Sequence, residues 1–446
     1  MFDIIKNFIE KNNSFLISTC SYSNPYLTKC SYIQDGTDIY FACVLNSTQI
    51  QQIIQNPKIV LAIEDEDNTL IYSGIAKIVK THPNKEKMIE ELSKKDKLTP
   101  QGIFNIELVK IIPLDITIPE EKTSMKFPEN KPAIIKEMMK SFLSTIKVWK
   151  KAIRLPFISV SVLAVAVGAA AAYYEKSSFS WLYFLLSTLG IFAFHASADL
   201  FNDFFDYISG TDDVNIQKTP FSGGSRMIQY KLFTPTRVLT GAIFFLLVTI
   251  GIGIYLNYSV KGNIILYIGL VGVFLGIFYV GLPIKLAHFG LGEIAIFISF
   301  GPAIVFGSYY LHVESFSWFP IYISFIIGLL ISLILFVNQF PDFEADKAAG
   351  KHNWVVRFGK KASSIIYVTT MSVTYILLVV FVALKILPLI SLIILVSLPL
   401  PIKASIITLR KYDNYLEMIP ASATTILTCL NYTSLLILAL IIDTLL

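Results

Sequence analysis

The sequence predicts a multi-pass α-helical membrane bundle of nine helices, preceded by a small β-barrel domain. Three observations predict it. The chain of 446 residues is 54% hydrophobic and only 15% charged, where soluble domains carry about a quarter of charged residues. The charge is uneven: residues 1–152 hold most of it, while residues 153–446 are almost wholly apolar. The apolar part divides into stretches of about 20 residues, the length that crosses a bilayer.

Residues 1–118 alternate apolar and polar positions in short runs, the period of half-buried strands. Strands are expected near 14–20, 26–33, 38–45, 58–64, 69–80 and 103–117, with a tight turn at Asp35-Gly36. Helices fit 2–11, 47–55 and 84–95, the second capped by Ser47. Many strands with few helices make a small barrel. The opening Met1-Phe2-Asp3, with Lys6 and Glu10, reads as an amphipathic helix, so no cleavable signal is expected. Residues 119–152 form a connector. Pro119 to Pro132 is polar and loop-like. Ala133 to Arg154 is a basic helix whose Lys136, Lys140, Lys147, Lys150, Lys151 and Arg154 would meet anionic lipid ahead of the first span.

The spans run roughly 155–174, 181–201, 238–256, 262–282, 292–312, 318–338, 364–384, 386–404 and 423–444. Pro388, Pro399 and Pro401 interrupt the eighth. With residues 1–152 placed in the cytoplasm, the inner loops take Lys218, Arg226, Lys231, Arg237, Lys285, Lys347, Lys351, Arg357, Lys360, Lys361, Lys403, Arg410 and Lys411. The outer loops take only Lys176, Lys261 and Lys385. That asymmetry obeys the positive-inside rule and makes the chain a multi-pass protein of the cell (inner) membrane. A net charge of +5 is accounted for by this topology and carries no nucleic-acid signature. The cysteines Cys20, Cys30, Cys43 and Cys429 lack metal or redox spacing, which argues against a disulfide framework.

Two aspartate-rich segments close apolar stretches. One is Asn202-Asp203-Phe204-Phe205-Asp206, continuing to Gly210, Asp212 and Asp213; the other is Asn338-Gln339-Phe340-Pro341-Asp342-Phe343-Glu344-Ala345-Asp346, continuing to Gly350-Lys351. An Asp at the centre of a membrane helix costs roughly 2.5–3.5 kcal/mol, and less towards the ends. Helical spacing aligns His195, Asp199, Asn202 and Asp206 in one stripe and Asn338, Asp342 and Asp346 in another. The predicted topology sets both on the cytoplasmic face. Clustered hard oxygens there suit Mg²⁺, which takes carboxylates together with phosphate oxygens. The pattern predicts a site that holds a diphosphate through Mg²⁺ at the membrane surface.

The membrane part, about residues 150–446, resembles the UbiA superfamily of intramembrane prenyltransferases. Asn202-Asp203-x-x-Asp206 with Gly210 and Asp212 matches its first motif, and Asp342-x-x-x-Asp346-x-x-x-Gly350-Lys351 its second. Tyr279-Val280-Gly281-Leu282-Pro283, Gly290-Leu291-Gly292-Glu293, Phe300-Gly301-Pro302 and Val356-Arg357-Phe358-Gly359 look most like the branch that prenylates 1,4-dihydroxy-2-naphthoate for menaquinone. Two positions depart from that branch: Pro341 stands where it usually has Arg, and Asp199 where it often has Asn. The resemblance implies Mg²⁺-dependent transfer from a polyprenyl diphosphate to an aromatic acceptor. It implies that Asn202, Asp203 and Asp206 hold one Mg²⁺ and Asp342 and Asp346 another. Asn202, Asn338, Asp212, Arg226, Lys285 and Lys351 are candidate diphosphate contacts.

Residues 1–118 resemble the pyridoxamine-phosphate-oxidase-like split barrels, which bind FMN. The likeness rests on Phe15-Leu16-Ile17-Ser18-Thr19, Pro25 to Tyr32, Ile39-Tyr40-Phe41-Ala42 and Asn56-Pro57-Lys58-Ile59-Val60-Leu61-Ala62. Where that family often has a phosphate-binding Lys, this chain has Gln49. Lys29 and Ser47 remain as candidate FMN contacts. The barrel either binds FMN or serves docking or homodimerisation without a cofactor. Three other readings stay open: a different acceptor (a hydroxybenzoate, homogentisate, porphyrin or glycerol lipid), a cation-coupled transporter, and a membrane-anchored flavin reductase.

Overall fold

The computed structural model describes the chain apart from residues 1, 22–23, 36–37, 45–46, 66–67, 97–105, 121–122, 128–129, 211–218, 231 and 282. It comprises two compact units: Met1–Lys150 with Tyr230–Thr234, and Lys151–Gln229 with Pro235–Leu446.

In the first unit, β1 (Ser14–Ser21), β2 (Asn24–Ser31), β3 (Ile33–Asp35), β4 (Asp38–Val44), β5 (Lys58–Glu64), β6 (Thr69–Ile78), β7 (Ile106–Ile118) and β8 (Thr123–Lys126) form one sheet. Its order is β2-β1-β5-β6-β7-β4-β3, with β8 on β7. All pairs are antiparallel, and the sheet forms a half-barrel consistent with a split barrel. Alternation places the core: Ile59, Leu61 and Ile63 of β5 turn inward against Phe15, Phe41 and Ile50. The sheet bends at a bulge between Ser73 and Gly74, where a Cβ on Gly74 would lie 2.4 Å from the Ile112 carbonyl oxygen. Ser47 caps the following helix as expected, accepting from the Ile50 N–H at 3.3 Å. Asp35 pairs with Asp38 across the expected turn, whose Gly36 lies outside the described residues.

Two short strands were not expected. β3 is too brief to show an alternation, and β8 lies in the segment read as loop. The basic helix runs Lys131–Ala152, with Pro132 in its first turn, where a missing N–H costs nothing.

Among the described residues of the second unit, seven helices are long and apolar enough to cross a membrane: Leu155–Lys176, Trp181–Ile208, Pro235–Ser259, Gly292–Val313, Trp318–Ala348, Trp354–Ala383 and Ile419–Leu445. Two expected spans differ. The fourth is a helix of only 15 residues, Ile264–Phe278, roughly 22 Å long at 1.5 Å per residue against a hydrocarbon core of about 30 Å. The eighth is a 3-10 segment, Leu389–Ser397, bent by 45° from the helix Pro399–Lys411. Proline explains the break: Pro399 and Pro401 have no N–H to donate to the preceding turn.

Close packing fixes the bundle where residues are small. A Cβ on Gly168 would meet the Val305 carbonyl oxygen at 2.3 Å, and the nearby Ser308 hydroxyl donates to the Val165 carbonyl at 2.7 Å. The two helices that matter for the site run past their expected ends. Trp181–Ile208 and Trp318–Ala348 continue by about two and about three turns beyond 201 and 338, so Asp203, Asp206, Asp342 and Asp346 are all helical.

Candidate active site at the ends of two helices

On the first-motif helix, Trp181–Ile208, Asp203 and Asp206 are both buried. Asp203 Oδ1 accepts from Arg154 Nη2 at 2.7 Å and from the Ser225 N–H at 3.2 Å, and its Oδ2 accepts from the Ser225 hydroxyl. Arg154 also lies 3.5 Å from Asp199 Oδ1. Asp206 Oδ1 accepts from Lys351 Nζ at 3.0 Å. The helix stops at Ile208, and Gly210 follows in the left-handed region at φ 71°. Deeper in the same stripe, His195 Nδ1 is 2.5 Å from the Ser161 hydroxyl, and its Nε2 is 3.6 Å from Asp199 Oδ2. His195 is therefore a buried, hydrogen-bonded histidine.

On the second-motif helix, Trp318–Ala348, Asp342 Oδ2 accepts from the Gly223 N–H at 3.2 Å, and Asp346 Oδ2 from Asn353 Nδ2 at 2.7 Å. Asp346 is within electrostatic reach of Asp342, Asp206 and Lys351. The two motifs thus meet at one end of the bundle. They share the loop Ser222-Gly223-Gly224-Ser225-Arg226, whose Gly223 and Ser225 each serve one of them. That loop needs its glycines: Gly223 and Gly224 sit at φ 78° and 69°, and Arg226 itself at φ 58°.

The remaining predicted residues distribute as follows. Asn202 lies on the first-motif helix beside Asp203. Arg226 Nε donates to the Gly223 carbonyl at 3.1 Å, so its side chain folds onto its own loop. Lys285 precedes the 3-10 turn Leu286–Phe289 at φ 48° and is within electrostatic reach of His288, as are Lys351 and Asp206. Asn338 Oδ1 is buried and has no hydrogen-bond partner. Asp212 lies outside the described residues. Sequence reasoning missed Arg154 as a carboxylate partner and missed Asn353, which both caps the helix Trp354–Ala383 and holds Asp346. The signal for Asn353 was present: an Asn directly before an apolar run is an N-cap.

Whether Mg²⁺ fits can be judged from the donor set. Among the described residues, no three His, Cys, Asp or Glu side chains gather around one point. Mg²⁺ does not require that, since it binds through one or two carboxylates and completes its shell with water and substrate phosphate. Paired aspartates, with Asn338 Oδ1 as a further hard oxygen, fit such an open site. The FMN contacts fit less well. Gln49 is buried, and Cys43 Sγ lies 3.2 Å from its Oε1, so the side chain turns into the barrel. The Ser47 hydroxyl is the cap acceptor, and Lys29 is exposed on β2.

Apolar helices bring two aspartate motifs and their cationic partners to one end of the bundle, the arrangement of a membrane-embedded enzyme. Residues 161–417 match the model of the UbiA prenyltransferase family, and the chain belongs to that family. It is a membrane-embedded prenyltransferase, with residues 1–117 matching the family model for pyridoxamine 5'-phosphate oxidase. A 2-carboxy-1,4-naphthoquinone phytyltransferase of Synechocystis is 30% identical over 256 residues, 57% of this chain and 80% of that one. A 1,4-dihydroxy-2-naphthoate octaprenyltransferase of Bacillus subtilis is 26% identical over 221 residues, 49% of this chain and 68% of that one. The apo structure of a UbiA homolog from Aeropyrum pernix K1 shares the fold, with a TM-score of 0.51 at 12% identity over 65% of this chain and 99% of that one.

Proposed function

We propose that this enzyme transfers a polyprenyl group from an allylic diphosphate to 1,4-dihydroxy-2-naphthoate, a step of menaquinone biosynthesis, and that Mg²⁺ is required. The observation that carries the reading is the junction of the two motifs: Lys351, directly after Gly350 and five residues beyond Asp346 of the second motif, reaches Asp206 of the first. The naphthoate acceptor is supported by relatives named for naphthoate and naphthoquinone substrates.

Asn202, Asp203 and Asp206 are proposed to hold one Mg²⁺, and Asp342 and Asp346 the other. When bound, Mg²⁺ neutralises the diphosphate as a leaving group. The chain's own residues supply the rest. Lys351, Lys285, Arg226, Asn202, Asn338 and Asp212 are proposed to contact the diphosphate, and the Gly223-Gly224 turn would let backbone N–H groups approach it. Arg154 and Lys351 offset the mutual repulsion of the aspartates before substrate arrives. As the allylic C–O bond breaks, its electron pair leaves with the diphosphate, and the cationic carbon is sheltered from water by the apolar helices. A ring carbon of the acceptor then donates a π electron pair to form the new C–C bond, and the ring regains its aromaticity by losing a proton, or its carboxyl group as CO₂.

The division of labour proposed is a split barrel at 1–118, a connector at 119–152 and the catalytic domain at 153–446. Both motifs and the barrel are placed on the cytoplasmic side of the inner membrane, with the barrel available for homodimerisation. The test is incubation of the purified protein with Mg²⁺, a labelled polyprenyl diphosphate and a panel of acceptors: dihydroxynaphthoate, hydroxybenzoate, homogentisate, a porphyrin and a glycerol lipid. Prenylated naphthoate, abolished by EDTA, is expected. Transfer to another member of the panel alone would reassign the acceptor, and Pro341 and Asp199 would be the first positions to explain it.

A further inference from the structure

Glu293, in the segment Gly290-Leu291-Gly292-Glu293, has no part in the reading above. It stands in the first turn of the helix Gly292–Ile298 and is buried, with 4% of its surface exposed. Its Oε1 is satisfied twice, by Gln339 Nε2 at 2.9 Å and by the Trp354 N–H at 3.0 Å. Its Oε2 has no hydrogen-bond partner, and neither does Gln339 Oε1, although Gln339 is also buried at 7% exposure. Two acceptor oxygens thus lie together, buried and without a donor. Buried polar atoms are nearly always paired, so such a pair calls for an absent donor.

The location says which donor. Gln339, Asp342 and Asp346 fall at helix spacings of three and four, on one face of the second-motif helix. Gln339 is three residues, about 4.5 Å, further into the membrane than Asp342. Tyr279 stands against the residue before Glu293: a Cβ on Gly292 would lie 3.1 Å from its Cε2 and 3.4 Å from its hydroxyl oxygen. Tyr279 is itself within electrostatic reach of Glu293, Asp346 and Asp206. Gln339 and the Glu293 it holds therefore belong to the same end of the bundle as the carboxylates, one turn deeper and near an aromatic ring.

We propose that Glu293 Oε2 and Gln339 Oε1 receive phenolic hydroxyl hydrogens of the aromatic acceptor, and that this pair selects acceptors with a free hydroxyl. The proposal rests on the aromatic-acceptor reading of the function and adds to it the group recognised and the residues that recognise it. A site built to accept a substrate O–H rejects an analogue without one strongly, because its own oxygens are then left buried and unpaired.

Glu293→Gln tests this with unusual directness. Two N–H donors, from Gln339 and Trp354, converge on Oε1, so a glutamine must turn its carbonyl oxygen there. Its NH₂ then occupies the Oε2 position and presents a donor where an acceptor had been. The experiment measures steady-state kinetics of full-length wild type, Glu293→Gln and Gln339→Met with dihydroxynaphthoate and with its O-methyl ethers. For Glu293→Gln, KM for the free-hydroxyl acceptor should rise about tenfold to a hundredfold, the scale of a lost hydrogen bond to a charged group, with KM for the prenyl diphosphate unchanged. The preference for free hydroxyl over methyl ether should fall by about tenfold or more. Gln339→Met, which removes one acceptor oxygen together with the Nε2 donor to Glu293 Oε1, should lower that preference too. It keeps the test decisive should Glu293→Gln not fold. An unchanged preference in a folded variant would mean that the pair holds only water or a proton of its own, and would overturn the proposal. A wild type that prenylates both acceptors equally would overturn it while leaving the function intact. A wild type that prenylates no aromatic acceptor would remove the function and this proposal together.

Discussion

Lys351 Nζ lies 3.0 Å from Asp206 Oδ1, although 145 residues separate them in the chain. Both side chains are largely buried. Breaking a buried pair strands the remaining charge, so Lys351→Met should destabilise the fold, by an amount approaching the ~3 kcal/mol at the low end for buried pairs. Lys351→Met with Asp206→Asn should recover much of that stability while activity stays lost, because a diphosphate contact and a metal ligand are both gone. Thermal melting in detergent beside turnover reads the two effects separately. A double variant that regains activity would show the pair to be structural only.

The topology prediction follows from the loop charges. Cysteines introduced at positions 215 and 349 should label from the same side of sealed vesicles as the N-terminus, and one at 260 from the opposite side. Background is low, since Cys30, Cys43 and Cys429 are buried and Cys20 is partly so. Labelling of 215 and 349 from opposite faces would mean that the spans between the motifs are misassigned. The 15-residue helix Ile264–Phe278 is where that error would lie.

His288 predicts an acid limb of stability. It lies in the 3-10 turn Leu286–Phe289, where burial, then the charges of Lys351 and Lys285, holds its imidazole down from 6.5 to about 4. In the unfolded chain it takes up a proton near pH 6.5, and in the folded protein only near pH 4. The unfolded state binds more protons in between, so stability is complete above that window and falls as the pH drops through it. His288→Gln should flatten this part of the profile of melting temperature between pH 7 and pH 4. A profile unaltered by the substitution would contradict the assignment.

Gln49 carries the prediction for the barrel. Its amide faces the Cys43 thiol in the interior, where a phosphate-binding lysine was the alternative. Full-length protein purified without added flavin should show no stoichiometric flavin absorbance, and added FMN should bind weakly. A yellow preparation with one FMN per chain would show that Lys29, Ser47 or other groups suffice and that the barrel has a redox task.

Much of this was legible in the sequence for local reasons. β5 is a short apolar, β-branched run closed by charged residues, Ser47 is a standard cap, and the aspartates recur at helical spacing, so local pattern alone found them. What was missed is tertiary. Nothing local pairs Arg154 with Asp203 or Glu293 with Gln339, because those contacts arise only when the helices pack. The break at 398 was half visible: Pro399 and Pro401 marked the place, but proline does not say whether a helix kinks or changes type. Pro341 gave the opposite lesson. It lies inside a helix that continues for two turns beyond it, since a membrane bundle can accommodate the lost N–H.

The central claim is that the two aspartate motifs form one Mg²⁺-dependent diphosphate site. Prenyl transfer by Asp203→Ala, Asp206→Ala, Asp342→Ala and Asp346→Ala, each checked for folding and assayed at saturating Mg²⁺, tests it most directly. Each should lose at least about a hundredfold in turnover, the scale of removing a major transition-state charge stabiliser. Full activity in any two of the four would contradict it.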